Sequence, residues 1–135
     1  MNIFVDASFL IALFNKDDSL YKKAKQIINK LEAEKAQFVI SNIVLAETVN
    51  VIFRLKGPKT AQKFFKSIKQ TGIKEYFIPE LLYNKAYQLL WKQKPKGANI
   101  FDCLHIATIK YLKIKKVLCF DKDFVKQGIE VIGAV

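Results

Sequence analysis

Acidic residues are scarce in this chain, and several stand in apolar sequence where an unpaired charge is costly to bury. Only 12 of the 135 residues are Asp or Glu, against 23 Lys and Arg. A carboxylate in such a place needs a cation or a hydrogen-bond donor beside it. Four acids in distant segments have this character, and a fifth lies close to the last of them: Asp6, Glu47, Asp102, Asp121 and Asp123.

Some of these acids directly follow apolar runs. Asp6 comes after residues 3–5, and Asp121 and Asp123 come after residues 116–120. If both runs are parallel strands, their carboxyl ends lie at one edge of the sheet, where ligands bind in open α/β folds. Asp is also a favoured helix N-cap, which is the alternative interpretation of Asp6.

The other two acids fall in helical patterns. Glu47 lies in the apolar run IVLAETVNVIF, and the nearest cation along that helix, Arg54, is not at i+3 or i+4 spacing. A bound metal ion would satisfy this carboxylate at least as well as a lysine. Asp102 opens the pattern IFDCLHIATIKYL, where its apolar neighbours indicate packing and N-terminal capping is the alternative.

A carboxylate-only cluster suits Mg²⁺ or Mn²⁺, and such ions assist phosphodiester hydrolysis. Ser8, two residues after Asp6, can hydrogen-bond a carboxylate or a bound water, although N-capping is equally open to it. His105 is the sole histidine and lies one turn after Asp102. We expect a structural rather than a direct catalytic role for it, because one histidine is insufficient for a histidine-based site.

The elements that must position these acids alternate along the chain. Apolar and β-branched runs predict strands, helical periodicity predicts the segments between them, and a basic loop covers residues 92–97. This order indicates a single domain over residues 1–135, with a mostly parallel sheet in a three-layer α/β/α arrangement. The predicted strands are residues 3–5, 37–41, 75–78, 116–120 and 130–132.

Composition favours a polyanionic partner. The net charge is +11 and the sequence pI about 9.7, which points to nucleic acid first and an anionic membrane surface second. Lys94 and Lys96, in the loop KQKPKG, are candidate phosphate contacts, with a merely solvated loop as the alternative. Cys103 and Cys119 form no metal-binding motif, and we expect both to be reduced residues of the core. No segment reaches the ~20 apolar residues that span a bilayer, so we expect a cytoplasmic protein.

Four segments in series resemble a known family, the PIN domains, and within it the VapC-type toxins of toxin–antitoxin pairs. These segments are IFVDASFLIALF, NIVLAETVNVI, IFDCLHIATIKYL and VLCFDKDF, which together span nearly the whole chain. The resemblance implies a central parallel sheet of four or five strands, Mg²⁺ or Mn²⁺ held by acids, and cleavage of RNA. It also suggests a homodimer and a small antitoxin. Carried over by motif, the acids correspond in order to Asp6, Glu47, Asp102 and Asp121, with Asp123 as a second acid of the last motif and Ser8 as support for the first.

Three alternatives stay open. The Asp-x-Asp pair in FDKDF resembles that of haloacid-dehalogenase phosphatases, but there the pair follows the first strand. A non-catalytic RNA-binding adaptor would keep the fold without the chemistry. A housekeeping RNA-processing nuclease would keep the chemistry without the toxin role. Asp6→Asn or Asp102→Asn separates enzyme from adaptor, because only an enzyme loses metal-dependent cleavage while it retains RNA affinity.

Overall fold

The computed structural model of the chain describes residues 1–121 and 123–133, with the backbone alone at Asp123. Strands and helices alternate through most of it, as the sequence pattern predicts. A short 3-10 helix, Asp123–Gln127, precedes the last strand. In chain order the remaining elements are β1 (Asn2–Val5), α1 (Ala7–Phe14), α2 (Tyr21–Ala33), β2 (Gln37–Ser41), α3 (Asn42–Lys56), α4 (Pro58–Gln70), β3 (Lys74–Tyr76), α5 (Glu80–Trp91), α6 (Ile100–Tyr111), β4 (Lys116–Leu118) and β5 (Glu130–Ile132).

The sheet has five strands in the order β3-β2-β1-β4-β5, and every neighbouring pair is parallel. The chain builds outward from β1 to β2 and β3, then crosses back to add β4 and β5 on the other side. The topological switch point therefore lies between β1 and β4, where the register pairs Val5 with Leu118. In open α/β sheets this crevice at the carboxyl ends of the strands is where ligands bind. The predicted parallel sheet is confirmed.

The core forms around β1, whose Ile3, Phe4 and Val5 are at most 1% exposed. A strand buried on both faces has no polar face, which is why this run is continuously apolar. Helix α6 is buried throughout residues 103–109 and packs on α5 through a second apolar cluster that includes Leu82 and Leu104. Helix α1 packs against α2 and α3, and α3 against α4. The predicted three-layer α/β/α fold is confirmed.

Two strands end earlier than the sequence pattern predicts. Strand β3 ends at Tyr76 rather than residue 78, and the Ile78 N–H instead donates to Asn42 Oδ1 at 2.9 Å. Strand β4 ends at Leu118 rather than residue 120, although Cys119 N still donates to Ile132 O of β5 at 3.1 Å. Within the described ranges, no helix is both long enough and apolar enough to cross a membrane.

Candidate active site

Asp6 lies at the switch point, immediately beyond β1. Its N–H donates to Leu118 O of β4 at 2.9 Å, which extends the pairing of the two strands by one step. Its Oδ2 atom accepts three hydrogen bonds, from Ser8 N at 3.3 Å, Ser8 Oγ at 2.9 Å and Cys119 Sγ at 3.4 Å. The capping interpretation of Asp6 is therefore realised, since it is the N-cap of α1. The predicted contact between Ser8 and this carboxylate is present too.

Cys119 ties the end of β4 to the same place. The Asp121 N–H donates to Cys119 Sγ at 3.2 Å, and the Phe120 N–H donates to Ser8 Oγ at 3.4 Å. Burial of the thiol, and then the neighbouring charge of Asp6, raise the pKa of Cys119 from 9.0 to about 12. The thiol is thus protonated at neutral pH and donates its hydrogen bond to Asp6 Oδ2.

Glu47 finds its partner on another helix. Ser41 caps α3, with Val44 N donating to Ser41 Oγ at 3.0 Å, so Glu47 falls in the second turn of that helix. Its Oε1 lies 2.8 Å from Nε2 of His105 on α6. The sequence pattern predicts that this carboxylate needs a partner, but it gives no sign that the partner is this histidine, 58 residues further along the chain.

Asp102 also has a structural role. It forms a capping box with Asn99, in which Asp102 N donates to Asn99 Oδ1 at 3.0 Å and Asn99 N donates to Asp102 Oδ2 at 3.2 Å. Asp102 precedes His105 by three residues, so both lie on one face of α6. The expectation that this end of the helix is packed is confirmed for Leu104, Ile106 and Ile109, which are at most 5% exposed. It is wrong for Phe101, which is 47% exposed, and Asp102 is half-buried.

The contacts place the predicted acids in two regions. Cys119 bonds to the Asp6 carboxylate and to the backbone N–H of Asp121, and His105 bonds Glu47 to the helix that carries Asp102. Among residues 1–121 and 123–133, no three Asp, Glu, His or Cys side chains are grouped so that they could hold a metal ion. The side chain of the fifth predicted acid, at position 123, lies outside the described residues.

The donor chemistry nevertheless fits a hard cation. The groups at the switch point are carboxylate oxygens, a hydroxyl and a protonated thiol, which suit Mg²⁺ or Mn²⁺ and suit thiophilic metals poorly. The predicted RNA contacts, Lys94 and Lys96, precede Asp102 in the chain. Lys94 and Lys96 are both exposed in the loop that joins α5 to α6, and this loop is closed by Gln93, whose Oε1 accepts from Ala98 N at 3.1 Å.

The fold and the site define an α/β domain with acidic side chains at the switch point of a five-stranded parallel sheet. Residues 3–129 match the PIN domain, and the chain belongs to this family. Family membership confirms the predicted class, a PIN-type nuclease, for which the cofactor class is a divalent metal ion. A curated relative, Ribonuclease VapC6 of Methanocaldococcus jannaschii, is 27% identical over an alignment that covers 97% of this chain and 96% of that protein.

Solved structures agree with this assignment. Mycobacterium tuberculosis VapC20, described as a toxin that cleaves the sarcin–ricin loop, is 26% identical with a TM-score of 0.83, and 98% of each chain is covered. VapBC2 from Rickettsia felis, bound to a DNA fragment from its promoter, is 16% identical with a TM-score of 0.70, also over 98% of each chain. A toxin–antitoxin complex from Klebsiella pneumoniae is 20% identical with a TM-score of 0.69, over 96% of this chain and 95% of that one. At these lower identities the likeness is one of fold.

Proposed function

We propose that this chain is a divalent-metal-dependent endoribonuclease that hydrolyses RNA phosphodiester bonds, and that it is the toxin of a toxin–antitoxin pair. The observation that carries the proposal is the position of Asp6 at the switch point of a PIN-family sheet, oriented by Ser8 and Cys119. Ligands bind at this crevice in open α/β sheets, so a carboxylate held there is placed to meet a bound metal ion.

The proposed site holds Mg²⁺ or Mn²⁺ through Asp6, Asp102 and Asp121, with Glu47 and Asp123 completing the acidic set. When bound, such an ion offsets negative charge at the phosphate and acidifies a water molecule. Neighbouring protein groups orient the acidic side chains. Ser8 and Cys119 direct Asp6, and the capping box holds Asp102 at the first turn of α6.

The proposed substrate is RNA that crosses the acidic edge and is held by surrounding cations. A net charge of +11 supplies attraction that does not depend on sequence. Lys94 and Lys96 are the proposed phosphate contacts, because they are exposed in the loop that leads directly into α6 and Asp102. Ribosomal RNA is the first substrate to assay, since the VapC20 relative is described as cleaving the sarcin–ricin loop.

The proposed partners are a small antitoxin protein and a second copy of the chain, in the cytoplasm where the RNA is. Relatives of this fold have been solved as toxin–antitoxin complexes. A toxin arrests growth when it is expressed alone, and co-expression of the antitoxin from an adjacent reading frame relieves the arrest. Normal growth with active protein present would instead identify a housekeeping nuclease.

The decisive test is incubation of the purified protein with total RNA, with and without Mn²⁺ or Mg²⁺. We expect discrete RNA fragments only with the metal, and none from Asp6→Asn. The matched control is Glu34→Gln, which removes the same charge from an exposed position after α2 and should leave cleavage unchanged. Equal cleavage by Asp6→Asn and the wild type, or cleavage that persists in excess chelator, contradicts the proposal.

A further inference from the structure

His105 lies where α6, α3 and β1 meet, and it is not one of the proposed metal ligands. It projects from α6, its side chain is only 3% exposed, and its Nε2 lies 2.8 Å from Glu47 Oε1 of α3. Its ring centroid is 6.1 Å from that of Phe4 in β1, the strand that ends at Asp6. The histidine therefore connects a predicted acid to the central strand of the sheet.

The hydrogen-bond network indicates which imidazole nitrogen carries the proton. An ionised carboxylate only accepts, so Nε2 must donate to Glu47. Within the described residues, His105 Nδ1 is buried and has no hydrogen-bond partner. A lone pair at Nδ1 is the arrangement that avoids a buried N–H without an acceptor. His105 therefore presents one donor, and that donor is aimed at Glu47.

Glu47 is more exposed than its partner. Its side chain is 35% exposed, and the bond to His105 engages Oε1. A glutamate side chain on a helix surface has several rotamers, whereas a buried imidazole packed on a strand has little freedom. A bond between them restrains the mobile carboxylate against the rigid ring.

We propose that His105 is a positioning residue for Glu47: it holds Oε1 so that the other carboxylate oxygen stays available to the divalent ion and the RNA. The inference rests on the proposed ribonuclease function and adds to it a residue in contact with neither metal nor substrate. Outer groups that orient ligating side chains commonly change metal affinity or activity by about 10- to 100-fold when they are removed.

Two substitutions separate positioning from packing. His105→Gln keeps an N–H donor at nearly the same reach as imidazole Nε2, whereas His105→Met fills similar space and donates nothing. Thr108→Val is the control on the same helix, because it removes a buried hydroxyl that donates to Leu104 O at 2.7 Å. Thr108→Val should lower stability without touching Glu47.

Mn²⁺ affinity is measured by the electron paramagnetic resonance signal of free Mn²⁺, alongside RNA cleavage and thermal unfolding. We expect His105→Met to weaken Mn²⁺ binding and lower kcat by about 10- to 100-fold. His105→Gln should recover most of both losses, and Thr108→Val should change neither. In a Glu47→Gln background, His105→Met should have little further effect on either quantity, because the carboxylate that it positions is gone.

These measurements decide whether His105 positions Glu47 or only packs in the core. If His105→Met lowers only the melting temperature, with wild-type Mn²⁺ affinity and kcat, the histidine is a packing residue and the inference fails. The same holds if His105→Gln is as impaired as His105→Met. If the wild type neither binds Mn²⁺ nor cleaves RNA, the proposed function fails as well, so the two failures are distinguishable.

Discussion

At the scale of single residues, the site depends on how one oxygen of Asp6 is engaged. Ser8 contributes both its N–H and its hydroxyl to Oδ2, and Cys119 contributes its thiol. The same contacts that cap α1 fix the rotation of the carboxylate. The capping and functional interpretations of Asp6 are therefore compatible, because a cap that uses Oδ2 orients the whole group.

Ser8→Ala tests this orientation. The variant keeps the backbone donor to Asp6 but loses the hydroxyl donor, as well as the acceptor for Phe120 N. We expect metal-dependent cleavage to fall about 10- to 100-fold and the free energy of unfolding to fall by about 1 kcal/mol. Ser67→Ala, an identical change at an exposed position of α4, is the control. Equal activity of Ser8→Ala and the wild type would show that the hydroxyl is dispensable.

Cys119 gives a prediction about pH. Its pKa is raised in the folded protein from 9.0 to about 12, chiefly by burial. Below pH 9.0 the thiol is protonated in both the folded and the unfolded chain, so its ionisation takes nothing from the free energy of unfolding. Between pH 9.0 and about 12 the unfolded chain loses the proton first, and stability falls. Urea unfolding across this range should show a shallower fall for Cys119→Ser, whose hydroxyl does not titrate. Parallel pH curves for the two proteins would contradict the assignment.

At the scale of elements, the junctions decide which side chains reach the site. Gly57 ends α3 with φ of +86°, and Pro58 begins α4 at once. The backbone at Gly57 has a φ and ψ that side-chain-bearing residues rarely adopt. This turn fixes where α3, and with it Glu47, lies against the sheet.

Gly57→Ala should therefore destabilise the protein by about 1–3 kcal/mol through backbone strain alone. Apart from the glycine itself and its two chain neighbours, no residue has an atom within 4 Å of the added methyl group at either Gly57 or Gly72. Of these two glycines Gly57 alone has a positive φ, so Gly72→Ala is a matched control that should be near neutral. Denaturant midpoints measure the difference, and equal midpoints for the two variants would contradict the strain argument.

Local pattern predicted the elements well and the pairing of side chains poorly. Apolar runs and helical periodicity located all five strands of the observed sheet, because burial on one face or two leaves a local signature. Beyond the early end of β3, Ile78 bonds to Asn42, which is 36 residues away along the chain. Glu47 bonds to His105, which is 58 residues away. Contacts between distant segments leave no periodicity. The carboxyl edge of the site was thus predictable, whereas the Glu47–His105 pair was not.

At the scale of the whole molecule, the positive charge makes RNA affinity salt-dependent. Each phosphate contact on single-stranded RNA contributes about 0.7 to the slope of log affinity against log salt concentration. Replacing both Lys94 and Lys96 with Gln should lower that slope by about 1.4, if each contacts one phosphate. The control replaces Lys22 and Lys25, two exposed lysines of α2, with Gln, so both double variants lose two positive charges. Equal slopes for the two double variants would exclude the 92–97 loop as a contact.

The most direct test of the account is a calorimetric titration of the purified chain with Mn²⁺, since the central claim is that carboxylates from remote segments meet around one divalent ion. The account predicts saturable binding by the wild type and by Glu34→Gln. Binding should be weakened at least about 10-fold in each of Asp6→Asn, Glu47→Gln and Asp102→Asn. Retention of wild-type Mn²⁺ affinity by all three site variants would contradict the claim, because the acids would then serve only as caps and helix partners.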